Sequence, residues 1–168
     1  MKIFLEVFCM SQELKIQLCK MSIQEKVAGK AKEWADEKVK YRHRGVTRTG
    51  CDCSGLLIGI MRELGYLKNF IYPVYPLDWN LHGFVKKHNY ITEYIGKYAN
   101  QIEKETKQPG DILLFKYVKV ICHTGIYIGH DLFVHSVIGS RVRYGTLKNS
   151  PYSHRLIEVW RIDETRIN

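Results

Sequence analysis

The chain is poor in proline, in acidic residues and in long apolar runs. It has 4 prolines and 13 glycines in 168 residues, which excludes a low-complexity or fibrous protein. No run approaches the roughly 18 apolar residues of a membrane-spanning helix, so we expect no transmembrane segment. The apolar N-terminus is broken by Glu6 and has no small-residue cleavage site, which predicts synthesis in the cytoplasm without an export signal.

Basic residues outnumber acidic ones, 26 to 17, for a net charge of +9. This balance favours polyanionic partners such as nucleic acid, an anionic wall polymer or an acidic membrane surface. The basic residues are spread along the chain, which favours a solvated surface over a nucleic-acid groove, so we predict no nucleic-acid partner. The odd count of 5 cysteines, without an export signal, indicates free thiols.

The hydrophobic pattern changes from helical to alternating along the chain. Ser22 to Glu25 forms a capping box, which predicts a helix over 22–39. A second helix is predicted from Cys53 to a stop at Gly65, followed by an aromatic loop over 66–82 and a partly helical stretch over 84–102. After a turn at 109–111, strands are predicted over 112–115, 118–128, 132–137, 141–144 and 157–162.

This order predicts an α+β fold, with N-terminal helices and a C-terminal antiparallel β-sheet. No internal repeat or linker divides the chain. We expect one domain over 22–168, preceded by an extension over 1–21.

Cys53 stands where a polar loop gives way to an apolar helix. Asp52 is suited to cap that helix, which places the thiol in its first turn. Free N–H groups there lower the pKa of a thiol and can donate to an oxyanion. The small Ser54 and Gly55 leave room for a substrate, whereas Cys51 lies in the loop. We therefore predict Cys53 as a nucleophile; the alternative is a buried structural thiol.

A cysteine nucleophile needs a base and a group that orients the base. His123 lies in a predicted strand, on the face opposite Cys122, which we assign to the core. If residues 129–131 form a three-residue turn, His135 lies diagonal to His123, within side-chain reach. A register change of one residue would send His135 to the other face. The alternative is two structural histidines.

A zinc site is a second possibility. Its ligands would be Cys51, Cys53, Cys122 and His123. Cys-x-Cys followed by Cys-His is not a usual zinc spacing, and adjacent strand residues point to opposite faces. We expect no metal.

Four short motifs, in order, resemble those of the NlpC-type cell-wall cysteine peptidases, a branch of the papain-like superfamily. They are Asp52-Cys53-Ser54-Gly55-Leu56, Pro109-Gly110-Asp111-Ile112-Leu113-Leu114-Phe115, His123-Thr124-Gly125-Ile126-Tyr127-Ile128-Gly129 and Phe133-Val134-His135-Ser136. The similarity spans most of the chain after the N-terminal extension. It implies a papain-like fold in which the helices carry the nucleophile and pack on the sheet.

The resemblance also implies a role for each site residue. Cys53 would be the nucleophile, His123 the base and acid, and His135 the residue that orients His123. Tyr41 matches a family tyrosine near the nucleophile and the oxyanion. The substrate-binding residues that we assign to the cleft are Arg42, Arg44, Asp52, Ser54 and His82. Arg48 is expected near the same cleft, where arginines suit the carboxylates of stem peptides. No cofactor is implied.

Members of the family hydrolyse stem-peptide amides of bacterial peptidoglycan, commonly after D-glutamate. We therefore expect a cysteine hydrolase of the D-glutamyl-diaminopimelate endopeptidase type. Trp79-Asn80-Leu81-His82-Gly83 further resembles prophage and phage-tail members. That implies phage tail or virion proteins as partners and action at the cell wall after virion delivery or lysis. The alternatives are a same-fold amidase or acyltransferase with a non-wall substrate, and a non-catalytic wall-binding or structural protein.

Overall fold

The computed structural model describes residues 21–76, 89–117 and 119–167. All but the last residue of the predicted N-terminal extension, and the whole of the motif at 79–83, lie outside these ranges. Within them, no helix combines the length and the apolar character needed to cross a bilayer.

The first helix, α1, spans Ile23–Asp36 and begins at the predicted capping box. The Ser22 side chain accepts a hydrogen bond from the Glu25 N–H at 3.2 Å, and the Glu25 carboxylate accepts one from the Ser22 N–H at 2.8 Å. Trp34 on the buried face is fully enclosed. The helix ends at Asp36, three residues before the predicted end at 39, because Lys38 adopts a positive φ of 56° that an α-helix does not allow.

The predicted polar loop before Cys53 contains a small hairpin. Strand β1 (Val46–Thr47) pairs antiparallel with β2 (Gly50–Cys51), and β2 leads directly into helix α2 (Cys53–Glu63). After α2, Gly65 has a φ of 89°, which confirms the predicted stop. The described part of the aromatic loop, 66–76, is irregular as predicted.

The described part of the partly helical stretch, 89–102, contains a six-residue helix, α3 (Tyr90–Ile95), and a strand that the sequence did not indicate. The strands are β3 (Ala99–Ile102), β4 (Ile112–Tyr117), β5 (Val120–Gly129), β6 (Leu132–Ser136), β7 (Val142–Thr146) and β8 (Leu156–Ile162). A short helix, α4 (Pro151–Arg155), separates β7 from β8. The strands form a six-stranded antiparallel sheet in the order β3-β8-β4-β5-β6-β7. The predicted α+β class is therefore confirmed.

The two faces of the sheet pack against different partners. One face joins α1 and α2 in the main core, to which β5 contributes Ile126 and Ile128. The other face carries a smaller aromatic cluster around Phe115 and Phe133, against which Tyr152 of α4 packs. The β-strand alternation therefore places His123 on the face of the smaller cluster, as its parity predicts.

Arg48 lies away from the position that the sequence analysis assigned to it. Its guanidinium binds the carboxylates of Glu33, Glu37 and Glu63, and it lies 5.5 Å from the centre of the Trp34 ring. Three acidic side chains, from α1, from the residue that ends it and from α2, thus hold it in an ion-pair network. The prediction that Arg48 lies at the cleft is wrong, because these carboxylates bind its guanidinium.

Candidate active site

Cys53 is the first residue of α2 and is half-buried. Asp52 caps the helix as predicted: its Oδ1 accepts a hydrogen bond from the Gly55 N–H at 2.7 Å. On the sheet side, the Thr124 hydroxyl donates to the Cys53 carbonyl at 2.7 Å and fixes the helix start against β5. The nucleophile candidate is therefore anchored from both sides of its backbone.

The two histidines meet as the sequence analysis predicted. His123 Nε2 lies 2.8 Å from His135 Nδ1, so one ring donates a hydrogen bond to the other. The contact uses Nε2 of His123 and leaves its Nδ1 for another partner. His135 is fully buried, and its Nε2 is among the buried polar atoms that have no hydrogen-bond partner in the described part of the chain. Aromatic rings of Phe133 and Tyr152 enclose it at centroid distances of 4.9 and 5.2 Å.

The hairpin between β5 and β6 sets this register in an unexpected way. Ile126 pairs with Val134, but Gly129 pairs with Leu132, so the register shifts by one residue. The turn itself is His130 and Asp131, both with positive φ (53° and 57°), as in a two-residue type I′ turn. A β-bulge thus adds the third residue that the sequence analysis had placed in the turn.

Cys53 and His123 line the same pocket, which has a volume of about 290 Å³. Its walls come from the loop before β1, the start of α2, the aromatic loop, β4, β5 and α4, together with the end of β6 and the segment that follows it. The lining residues are Tyr41, His43, Asp52, Cys53, Ser54, Tyr75, Tyr117, Cys122, His123, Ser136, Val137, Ile138 and Tyr152. His135 lies behind this wall, in contact with His123.

Tyr41 is on the pocket wall, where the family resemblance places it. Its backbone forms a parallel bridge with Cys51, and its N–H donates to the Ser140 carbonyl at 3.0 Å. Burial, followed by the charges of Asp52 and Cys53, raises the pKa of its phenol to about 12. The hydroxyl is therefore protonated at neutral pH and can act as a hydrogen-bond donor.

Asp52, a predicted substrate-binding residue, is buried with both carboxylate oxygens already engaged. Besides the Gly55 N–H, its donors are the Arg44 N–H at 2.7 Å, the Tyr72 hydroxyl at 2.8 Å and the Tyr75 hydroxyl at 2.6 Å. Sequence reasoning missed the two tyrosines. Its one signal for them was the aromatic composition of the loop over 66–82.

The other predicted substrate-binding residues have different positions. Ser54 is buried and lines the pocket. Arg42 and Arg44 are exposed and are not among the residues that line the pocket, whereas His43 between them is. His82 lies outside the described residues.

Cys122 is a correction to the sequence analysis. It is half-buried and lines the pocket, whereas we had assigned it to the core. The alternation of β5 holds, but residues 121–123 are half-buried, and the continuously buried stretch is 124–128. Cys122 and His123 therefore reach the pocket.

Burial keeps Cys53 and His123 uncharged in the resting site. It raises the pKa of Cys53 to about 11, helped by the Asp52 charge, and lowers the pKa of His123 to about 3, helped by His135 and Arg143. The pKa of His135 falls to about 4 for the same reasons, burial first and then Arg143. The prediction of a low thiol pKa is therefore wrong, because burial outweighs any lowering by the helix start. The structure holds a thiol and a neutral imidazole, and charge separation belongs to the reaction step.

These histidine pKa values predict an acid-sensitive fold. In the unfolded chain both rings bind protons below a pKa of about 6.5, whereas the folded protein keeps them neutral to about 3 and about 4. The unfolded state thus binds more protons, so the free energy of unfolding falls as the pH drops from 7 to 5. Each ring contributes at most about 1.4 kcal/mol per pH unit.

Chemical denaturation at pH 7 and pH 5, at constant ionic strength, measures this slope. His135→Gln should make it shallower, because one of the two neutral rings is removed. An unfolding free energy that stays constant over this range would contradict the neutral pair.

In the described part of the chain, no group of three or more His, Cys, Asp or Glu side chains is arranged to hold a metal ion. Cys51, Cys53 and Cys122 are free thiols. Cys51 is fully buried, and burial raises its pKa to about 12. This makes Cys51 an inert neighbour of the nucleophile candidate.

Comparison with curated proteins gives a consistent set of relatives. Murein DD-endopeptidase MepS/Murein LD-carboxypeptidase of Escherichia coli (strain K12) is 31% identical over 121 residues, which cover 71% of this chain and 54% of that protein. Probable endopeptidase NlpC of the same strain is 28% identical over 124 residues, covering 73% and 68%. The chain spans about half the length of the first of these relatives.

Solved structures share the fold. An NlpC/P60 family protein from Bacillus cereus ATCC 10987 aligns with a TM-score of 0.58 at 20% identity, over 84% of this chain and 40% of that chain. NlpC2 from Trichomonas vaginalis aligns with a TM-score of 0.57 at 23% identity, over 82% and 47%. The sequence model of the NlpC/P60 family matches residues 38–161. Since this match covers most of the chain and includes Cys53, His123 and His135 alike, the chain belongs to the NlpC/P60 family.

Proposed function

We propose that this chain is a cysteine peptidase that hydrolyses amide bonds in the stem peptides of bacterial peptidoglycan. The observation that carries the proposal is the shared pocket of Cys53 and His123, with His135 hydrogen-bonded behind the imidazole. A binding or structural role does not need this set. One relative is named as a murein DD-endopeptidase and another as a probable endopeptidase, which supports this substrate class.

The first step is attack of Cys53 Sγ on the amide carbonyl carbon. The thiol proton passes to Nδ1 of His123, because Nε2 of that ring is held by His135. For this tautomer, His123 Nε2–H donates to His135 Nδ1. The neutral pair becomes a thiolate and an imidazolium only as the carbon–sulfur bond forms.

The oxyanion of the tetrahedral intermediate lies at the start of α2. Backbone N–H groups of the first turn point there, and the protonated Tyr41 hydroxyl is on the same pocket wall. His123 then gives its proton to the leaving amine, and a thioester remains on Cys53. Water, deprotonated by His123, hydrolyses the thioester and releases the new carboxylate.

We further propose that the bond cleaved lies between D-glutamate and diaminopimelate. This follows the family preference that the sequence motifs imply. Charge supports an anionic substrate: the chain carries a net charge of +9, and the one carboxylate in the described pocket lining, Asp52, is occupied by internal donors. Stem-peptide carboxylates thus meet no free acidic side chain in that lining.

Digestion of purified diaminopimelate-type peptidoglycan tests both levels. We expect the protein to release fragments that begin with a free diaminopimelate amine and to leave stems that end in D-glutamate, as read by mass spectrometry. Fragments cut at the cross-link would support the proposed peptidase activity but overturn the assignment of the D-glutamyl bond. Intact peptidoglycan, alongside a reactive Cys53, would favour the amidase or acyltransferase alternative with a non-wall substrate.

The route to the wall is part of the proposal. The segment at 79–83 resembles phage-tail members, and we propose delivery by a virion or release on lysis. Co-purification of the chain with intact phage particles from an induced host would support that route, and its absence from particles would count against it.

A further inference from the structure

The segment before residue 77 closes over the cap of α2 through two phenols. Tyr72 donates to Asp52 Oδ1 at 2.8 Å and Tyr75 donates to Asp52 Oδ2 at 2.6 Å, while the two hydroxyls lie 2.6 Å apart. Tyr75 is itself buried and lines the pocket. Its carbonyl lies 3.1 Å from His43 Nε2, a second residue of the pocket wall.

Asp52 needs such partners because it is a buried carboxylate next to the nucleophile candidate. Only 3% of its surface is exposed. Two backbone N–H groups, of Arg44 and Gly55, satisfy one site on each oxygen. A helix cap needs no more than these, so the phenols add a second donor to each oxygen.

The charge on Asp52 opposes ionisation of the neighbouring thiol. After burial itself, this charge is the largest factor that raises the pKa of Cys53. Hydrogen bonds from phenols draw negative charge toward the donor protons and weaken the field of the carboxylate. The phenols therefore stand where they reduce the penalty on a Cys53 thiolate.

We propose that Tyr72 and Tyr75 are positioning residues of this site: their hydroxyls hold Asp52 and withdraw its negative charge from the Cys53 thiolate that forms during attack. The proposal rests on the proposed function, since it matters to turnover only if Cys53 is the nucleophile. Neither tyrosine needs to touch the reacting atoms.

The surroundings of Cys53 leave Asp52 as the main source of negative charge. In the described pocket lining it is the one carboxylate. The other titratable groups there are Tyr41, His43, Tyr117, Cys122 and His123, with Tyr152 beside His123. Outside the lining, Cys51 and Tyr94 interact electrostatically with Cys53, and both are neutral because burial raises their pKa values. The positive charge of Arg143 lowers the pKa values of His123 and His135.

The test measures the rate at which iodoacetamide alkylates Cys53 between about pH 6 and pH 9. Fragment-ion mass spectrometry separates Cys53 from Cys51. We expect Tyr72→Phe and Tyr75→Phe each to slow alkylation by about threefold to tenfold at a given pH, since a tenfold loss of thiolate corresponds to one pKa unit. Tyr144→Phe is the matched control: it removes a phenol that donates to Asp36 at 2.7 Å, outside the pocket lining, and should leave the rate unchanged.

A double-mutant cycle through Asp52→Asn shows whether the phenols act through the charge. Asparagine retains the helix cap and removes the charge, so we expect Asp52→Asn alone to speed alkylation of Cys53. In that background, Tyr75→Phe should have no further effect, because there is no charge left to weaken.

A purely structural clamp would give a different result. Tyr75→Phe would then slow alkylation equally in the wild-type and the Asp52→Asn backgrounds, and that outcome overturns the proposal. Slower alkylation in Asp52→Asn also overturns it. The assay uses no substrate, so it is independent of which polymer is cut; a wild-type Cys53 that resists iodoacetamide throughout would instead overturn the proposed function.

Discussion

Replacing Cys53 by alanine is expected to lower the release of peptide fragments from diaminopimelate-type peptidoglycan by about 10⁴-fold or more. The loss should be this large because the Cys53 thiol forms the covalent bond of the thioester. The fold should survive, since Cys53 is half-buried and its backbone carbonyl, which accepts from Thr124, is retained. Fragment release by mass spectrometry, with thermal melting as the folding check, measures both effects.

Cys51→Ala is the matched control for this experiment. Cys51 is two residues away, also a free thiol, and fully buried outside the pocket lining. We expect its replacement to leave turnover within a few-fold of the wild type. If Cys51→Ala abolished fragment release and Cys53→Ala did not, the nucleophile would have been assigned to the wrong thiol.

Gly55→Ala is expected to destabilise the protein by about 3 kcal/mol or more, and to lower its Tm by about 6–12 °C. A Cβ at position 55 would lie 1.9 Å from the Gly45 carbonyl oxygen and 2.8 Å from Asp52 Oδ1. The first of these atoms is backbone, so the loop before β1 must move away from the start of α2. Turnover should fall as well, because the same movement displaces the cap beside Cys53.

Gly29→Ala is the control for Gly55→Ala. Gly29 lies inside α1, and a Cβ there would meet no atom within 4 Å. Alanine favours a helix interior over glycine by about 0.5–1 kcal/mol, so we expect Gly29→Ala to raise Tm slightly. Equal effects of the two substitutions in thermal melts would mean that the contact between Gly45 and Gly55 does not constrain the site.

Local sequence patterns were sufficient to predict the elements whose structure depends on residues close to one another in the chain. The Ser22 capping box, the stop at Gly65 and the alternation of β5 all depend on neighbouring residues. Strand β3 was missed because its central residues, Asn100 and Gln101, are polar and exposed, and only pairing with β8 makes them a strand. The hairpin of β1 and β2 was missed for a related reason: two-residue strands carry too little periodicity.

In the candidate site, too, local patterns predicted some features, and others depend on the folded chain. Motif and strand parity predicted that Cys53, His123 and His135 would meet, and the structure brings the first two into one pocket with the third behind. The ionisation state could not be predicted, because the pKa values depend on burial that only the folded chain provides. Tyr72 and Tyr75 escaped notice because an irregular loop has no period from which to infer a contact.

The bulge in the hairpin between β5 and β6 separates the length of the turn from the register of the strands. Gly129 has a φ of 93°, and the register shift beside it takes up one residue of β5, so Ile126 pairs with Val134 although the turn has only two residues. Removing that extra residue would restore a regular ladder and leave these pairs, and the contact of His135 with His123, in place. Removing one residue of β6 before His135 would instead turn His135 toward the helices and break that contact. The exposed turn is therefore a suitable place for an insertion or a tag, whereas β6 tolerates no change of odd length.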